Sequence, residues 1–351
     1  MKIAVYTIAK NEEKFIQRWA QSAQEADLLL VADTGSTDST IEIAKEAGCT
    51  IVSLTVSPWR FDDARNAALA YIPEDYDFCI AMDADEILLP GWRKALEDLE
   101  GQGTIRPRYK FVWSWEEDNR EGVSYISDKI HSREGYRWIH PVHETLQYMG
   151  DTPERETYCK DIEIHHHPDE SKPRQYYLPL LELAAKETPN SDRISHYLGR
   201  EYMWNGKKEE AIQELQRHLS LPTATWKAER AASLRYIARC LQLHERESWL
   251  LKACAEAPGR RECWTELAEH YHNLRAWPLC YAAAHRGISI TTRPEDYLSD
   301  PKAWGSHGYD MAAIAAWNMQ LRSHAIAYGE AAVELNPSDK RLQDNLNFYR
   351  Q

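Results

Sequence analysis

The texture of this sequence changes once, near residue 170, and the change calls for two folding units of different kinds. Before it, short apolar runs alternate with segments of helical period. "KIAVYTIA", "EEKFIQRWAQSA", "ADLLLVADTGS", "STIEIAKEAG" and "CTIVSLT" follow one another within the first 55 residues. That alternation predicts βαβ units and a mostly parallel, Rossmann-like sheet, and the nearly continuous apolar strands predict cover on both faces. After "HHHPDESKPRQ" almost every stretch has a helical period and is rich in Ala, Leu, Glu, Arg and Tyr. An α/β domain over 1–170 and an all-α domain over 171–351 are therefore expected.

Composition narrows what these domains could do. With 351 residues and 43% hydrophobic content, each half can bury a sizeable core. The formal net charge of −13 gives no general attraction to polyanions, which makes nucleic acid a minority partner. No run of about 18 apolar residues is present, and "MKIAVYTIAKNEE" turns polar too soon for a signal-peptide core, so a cytoplasmic protein without a transmembrane segment is expected. The seven cysteines include no CxxC pair, and neither a zinc nor a disulfide framework is expected.

In open α/β sheets ligands bind beyond the carboxyl ends of the strands. Those ends are polar here: "TIAKNEE", "ADTGSTDST" and "MDADE". Gly35 permits a tight turn, and Ser36, Thr37 or Asp38 can cap the next helix, so "DTGSTDST" also reads as a plain strand-to-helix turn. Asp33 precedes the cap, where a carboxylate can accept hydrogen bonds from a base or ribose. Asp83 and Asp85 lie two apart and project to the same side of an extended backbone. Like charges held that close repel unless a cation or donors sit between them, and a hard divalent ion shared with substrate phosphates would meet that need. A solvated loop is the plainer alternative.

Taken together and in order, "TIAKNEEKFIQRW", "VADTGSTDSTIEIAKEAG", "FDDARNAAL" and "IAMDADEIL" resemble family 2 glycosyltransferases of the GT-A fold. "HPVHETL" and "IEIHHHP" resemble later blocks of a bacterial branch that includes lipopolysaccharide-core glucosyltransferases and peptide S-glycosyltransferases. The resemblance implies metal-dependent, inverting transfer from a nucleoside-diphosphate sugar, a UDP-sugar first among them. By it, Asp85 would bind Mn²⁺ or Mg²⁺ and Asp83 would orient the ribose or a metal-bound water. Asp33 would contact the base, with Thr7, Ala9 and Glu12 framing the pocket. Arg65 and Asn66 would lie near the nucleotide or diphosphate, a surface salt bridge being the plainer reading. Glu86 is expected to hold neighbouring loops.

An inverting transfer also needs a group to take the acceptor's proton. Glu144, about 60 residues after the acidic pair and beyond two expected strands, is the candidate base, and His143 could orient it or bind the diphosphate. Glu116–Asn119 is a competing source. In "IEIHHHP", strand alternation sets His165 and His167 on one face and His166 on the other, and the resemblance selects His165 as a late metal ligand. Surface histidines before a linker are the alternative.

The second half carries repeats. Leu198, Gly199, Tyr202, Gly206, Ala211 and Pro222 fall close to the tetratricopeptide pattern, and Trp264, Leu267, Ala268 and Tyr271 repeat its start. Ala325, Ala332 and Pro337 mark a last unit, after an insertion around "TTRPEDYLSDPKAWG". About four helical pairs are expected, with the many tryptophans in their core. Such arrays bind peptides or proteins, self-associate, or cover the neighbouring domain. The acceptor classes left open are a peptide or protein side chain, a glycan and, less favoured, a modified DNA base. The rival from another class is a noncatalytic nucleotide-binding scaffold that recruits a partner through its repeats.

Overall fold

The computed structural model describes residues 1–116, 120–169 and 177–351. The chain forms two compact units, Met1–Ala184 and Ala185–Gln351. The boundary expected at 170/171 lies outside the described residues.

In the first unit the chain runs β1 (Ile3–Ala9), α1 (Ile16–Ser22), β2 (Leu28–Asp33), α2 (Thr40–Glu46), β3 (Thr50–Ser53), α3 (Phe61–Ala70), β4 (Phe78–Ala81), β5 (Glu86–Leu88) and α4 (Trp92–Glu97). There follow β6 (Arg106–Val112), β7 (Ser124–Ser127), β8 (Ile130–Ser132), β9 (Tyr136–Ile139), β10 (Thr145–Tyr148) and β11 (Glu156–His166). The main sheet has the order β3-β2-β1-β4-β8, parallel except for β8. A second sheet, β5-β11-β6-β7, is mixed, and β9 and β10 form a separate antiparallel hairpin. The expected parallel sheet is thus the first half of the unit only.

Strand β1 shows why the main sheet is buried on both faces. Ile3 and Val5 enter one apolar cluster with Trp19, Ile80 and Trp92, while Ala4 and Tyr6 enter the other with Leu30 and Trp138. Alternation sends neighbours to opposite sides, so a strand with no polar face needs cover on each. Each fully buried Ile or Leu contributes about 1.5–3 kcal/mol.

The helices that follow are α5 (Tyr177–Glu187), α6 (Asp192–Trp204), α7 (Lys208–Ser220), α8 (Lys227–Cys240), α9 (Glu247–Glu256), α10 (Arg261–Asn273), α11 (Trp277–Ile288), α12 (Pro301–Trp304), α13 (His307–Asn318), α14 (Arg322–Leu335) and α15 (Lys340–Arg350). In the second unit α6 packs with α7, α8 with α9, α10 with α11, and α13 with α14, which are the four pairs expected of the repeats, and α15 closes against α14. Gly199 lets α6 meet α7 closely: a Cβ there would stand 2.6 Å from Leu215 Cγ. The expectation that the tryptophans form the core is not met. Trp204 and Trp226 are exposed, and Trp249, Trp264, Trp277, Trp304 and Trp317 are only partly buried. Alanines take the interior instead, among them Ala231, Ala253, Ala268, Ala283 and Ala312, because helices this close leave no room for an indole.

Candidate active site at the strand ends

Because β1, β2 and β4 run parallel, their carboxyl ends emerge on one edge, with Ala9 beside Asp33 and Tyr6 beside Ala81. The loops after β1 and β2 are tied together. Asn11 Oδ1 accepts from the Thr37 amide at 2.8 Å, the Glu12 amide donates to Thr40 Oγ1 at 2.7 Å, and Asp38 accepts from the Thr40 amide at 3.0 Å. Asp38, one residue before the N-cap Ser39, thus meets the first amide of α2. The Ala9 carbonyl accepts from both the Thr34 amide and its hydroxyl, at 2.9 and 3.1 Å. Thr7 is fully buried, its hydroxyl donating to the Ile8 carbonyl at 3.2 Å.

Thr7, Ala9, Glu12 and Asp33 are thus brought to one place, but Asp33 is already employed. Its two carboxylate oxygens accept from the Gly35 and Ser36 amides at 3.1 and 3.0 Å, closing the turn in which Gly35 takes φ 104°. A positive φ of that size favours glycine.

Arg65 organises the next group of charges. It lies on α3, is 3% exposed, and donates from Nε to Glu144 Oε1 and from Nη2 to Asp83 Oδ1, both at 2.5 Å. Those two carboxylates outweigh the cost of burial and hold its guanidinium firmly charged. Beneath it, 5.0 Å from the guanidinium carbon, lies the Trp138 ring. The indole donates to Tyr6 Oη at 2.8 Å, and Tyr6 lies 3.2 Å from His131 Nε2. His131 Nδ1 faces the Ser132 carbonyl at 2.7 Å, which can only accept, so Nδ1 carries the proton and Nε2 accepts from Tyr6. Burial pushes the His131 imidazole down to about 4. Asn66 does not point at this cluster: its amide pairs with the Trp138 backbone in both directions, each at 2.9 Å, so it fixes the tryptophan instead.

Asp83 has a second cation, Lys129 Nζ, at 3.0 Å from Oδ2, and Lys129 also reaches Glu86 Oε1 at 3.1 Å. Burial alone would raise the Asp83 carboxyl, but Lys129 and Arg65 bring it far below the usual range. Asp83, expected beside the metal, has one oxygen on each of these two cations. Glu86, 1% exposed, accepts from the Asp83 amide at 3.0 Å and so holds the acidic loop, as expected. Burial raises its carboxyl to about 7.

Asp85 faces a histidine, and it is His166. Oδ2 stands 3.4 Å from His166 Nε2, whose Nδ1 donates to the Trp113 carbonyl at 2.9 Å while the ring stacks on the Trp113 indole at 4.3 Å. Burial would lower the His166 pKa, but the Asp85 carboxylate raises it. His165, the expected ligand, is directed to Glu163 Oε1 at 2.6 Å. The reason is alternation: Ile162, Ile164 and His166 share the buried face of β11, which leads to the acidic loop, and His165 falls on the other. The Asp85 carbonyl is held by the His167 amide at 2.9 Å.

Glu144 is 11% exposed, with Oε1 on Arg65. His143, at φ 50°, stacks on Tyr177 at 5.7 Å. Of the competing source Glu116–Asn119, residues 117–119 lie outside the described residues, and Glu116 faces Arg120 at 3.4 Å. Sequence reasoning missed Lys129, Trp138 and His166. Only His166 had a readable signal, the period of two from Ile162.

Residues 4–148 match the family model for glycosyl transferase family 2. A TPR repeat-containing protein of Synechococcus elongatus is 29% identical over 151 residues, which are 41% of this chain and 35% of that protein. The chain therefore spans about a third of that relative's length. Among solved structures, glucosyl-3-phosphoglycerate synthase from Mycobacterium tuberculosis, crystallised with Mn²⁺, UDP and phosphoglyceric acid, is 27% identical, with a TM-score of 0.28 over 31% of this chain and 43% of that one. MamA is 19% identical, with a TM-score of 0.37 over 47% of this chain and 89% of that one. Among the described residues no helix is long and apolar enough to cross a membrane.

Proposed function

We propose that this chain, whose N-terminal unit is a family 2 glycosyltransferase domain, moves a sugar from a nucleoside diphosphate, a UDP-sugar in the first place, to a peptide, protein or glycan acceptor with inversion at the anomeric carbon. The observation that carries the reading is the joint placement of Asp83, Glu144 and Arg65, with Asp85 opposite His166, at the carboxyl edge of a parallel sheet.

The donor set at Asp85 suits a divalent cation. A carboxylate oxygen and an imidazole Nε2 face each other, and the Trp113 carbonyl fixes the tautomer that leaves Nε2 free to ligate. Asp85 and His166 would hold Mn²⁺ or Mg²⁺, which when bound would offset charge on the departing nucleoside diphosphate. Asp83, held by Arg65 and Lys129, would serve a ribose or a metal-bound water. Lys129 and Arg65 would add positive potential for a diphosphate bound at this edge. Asp33 and the Gly35 turn would receive the base.

Glu144 would take the proton of an acceptor hydroxyl as its oxygen bonds to the anomeric carbon and the bond from that carbon to the diphosphate breaks. Arg65 fixes Oε1, so Oε2 is the oxygen assigned to this step. The helical unit would supply the surface that recognises a peptide or protein.

The test is to incubate the full chain with UDP-, GDP- and dTDP-sugars and Mn²⁺ and to follow released nucleoside diphosphate, with and without candidate acceptors. Slow metal-dependent release from one donor class is expected. Nucleotide binding without turnover of any donor would leave the noncatalytic nucleotide-binding scaffold as the better account, and absence of both would remove either reading.

A further inference from the structure

We propose a second metal site, in the interior of the helical unit, formed by His196 of α6, His218 of α7 and Glu229 of α8, which takes one Zn²⁺-class cation and locks three consecutive helices together. It does not depend on the transfer reaction.

One ligand atom from each of the three residues lies within 4.8 Å of the others, and all three residues are buried. Ser233 explains how the rings are aimed. Its hydroxyl stands 2.8 Å from His196 Nδ1 and 2.9 Å from His218 Nδ1, so both Nε2 atoms are turned away from it. Both histidines are fully buried, yet neither Nε2 has a hydrogen-bond partner. His218 Nε2 already lies 3.3 Å from Glu229 Oε1. Tetrahedral zinc with bonds of 2.0–2.1 Å separates its ligand atoms by about 3.4 Å, so a contraction of this group from within 4.8 Å would let the three residues hold the ion, with a water in the fourth position.

Outer groups support the same use. With metal on the two Nε2 atoms, each Nδ1 keeps its proton and donates to Ser233 Oγ, which has two lone pairs to accept them. Tyr297, from the insertion between the third and fourth helical pairs, donates to Glu229 Oε2 at 2.5 Å and stacks on Tyr197 at 5.9 Å. That contact gives the insertion a purpose: it covers the site and orients its carboxylate.

A closed hydrogen-bond network is the competing account. In it His196 donates to Ser233, Ser233 donates to His218, and His218 Nε2 turns its proton to Glu229. That chain leaves His196 Nε2 as a fully buried acceptor with no donor, which a metal would satisfy and a network does not. Two imidazoles and a carboxylate form a donor set suited to zinc rather than to Mg²⁺ or Ca²⁺.

The experiment uses the untagged full chain, stripped with chelator and titrated with Zn²⁺ or Co²⁺ alone. We expect one equivalent of zinc retained after gel filtration, a rise in Tm of roughly 5–10 °C, and a Co²⁺ spectrum of tetrahedral intensity. The same equivalent should persist in Asp85→Asn, which separates this site from the strand-end site. It should vanish in His196→Gln and Glu229→Gln, and Ser233→Ala should weaken it by roughly 10-fold or more. Wild-type protein that retains no zinc, shows no Co²⁺ band and keeps its Tm would overturn the proposal without recourse to any variant. So would zinc retained equally by folded His196→Gln.

Discussion

The charged cluster at the strand ends and the histidine cluster among the helices are built by opposite means. At the sheet edge Asp83, Asp85 and Lys129 keep side-chain exposures of 41%, 25% and 24%, while Arg65 and Glu86 are sealed. Among the helices His196 and His218 are at 0% and Glu229 side-chain exposure is 6%. A strand that stops delivers its charges to water and a ligand, with one buried cation to tie them. A helix pair that never opens can hold polar groups only if each is satisfied inside. Reach distinguishes a place for chemistry from a place for structure, and each prediction below tests that division.

The largest effect should come from Glu144→Gln, which keeps shape but cannot take a proton. Transfer to a hydroxyl acceptor should fall by about 10²–10⁴-fold, with donor affinity nearly unchanged in a binding titration. A thiol acceptor should show a smaller loss because it is partly ionised already. Undiminished transfer to a hydroxyl would remove Glu144 from the step and turn attention to Glu117 and Asp118.

Arg65→Met should come next, because it leaves two carboxylates without the cation between them. Chemical denaturation should show a loss of about 2–4 kcal/mol, below the range for a wholly buried pair since Asp83 can rehydrate. Arg65→Lys should recover little, as one ammonium cannot span both carboxylates. Full stability in Arg65→Met would mean the strand-end cluster is not held from below.

His131 sharpens the contrast between buried histidines, since both its ring nitrogens are partnered whereas His196 Nε2 is not. Its folded pKa of about 4 lies below the ordinary 6.5, so the unfolded chain binds the extra proton first. The stability it contributes is complete above about 6.5 and lost as pH falls through 4, by up to about 3 kcal/mol. Urea titrations from pH 7 to pH 4 should show this slope, and His131→Phe should flatten it. An unchanged slope would place the acid-sensitive group elsewhere.

The outline of both units was legible because periodicity reports it directly. Continuous apolar runs gave the parallel strands, and Gly199 with its spaced alanines gave the helical pairs. The acidic loop and Arg65 were legible as residues but not as partners, because nothing local in "FDDARNAAL" says that Arg65 will bridge Asp83 and Glu144. Asn66 shows the same limit: its amide is consumed by the Trp138 backbone, an outcome fixed only by tertiary contact. Lys129 and Trp138 left no local trace. His165 was chosen by motif spacing, whereas the alternation from Ile162 sets His166 on the face that meets Asp85. The tryptophans misled because indole size predicts burial only where helices stand far enough apart to admit it.

Trp204→Ala should have the smallest effect. The ring is 53% exposed and has Arg200 over it at 4.6 Å, so stability should change by less than about 1 kcal/mol. A larger loss would show that the exposed aromatics are part of the helical framework after all.

The central claim, a nucleotide site whose cation is held by Asp85 and His166, is tested most directly by calorimetric titration of UDP with and without Mn²⁺ into wild type, Asp85→Asn, His166→Gln and His165→Gln. Mn²⁺ should strengthen UDP binding to wild type and to His165→Gln by about tenfold or more, and the gain should disappear in Asp85→Asn and shrink in His166→Gln. A Mn²⁺-dependent gain that survives Asp85→Asn, or that is lost in His165→Gln but kept in His166→Gln, would contradict the account.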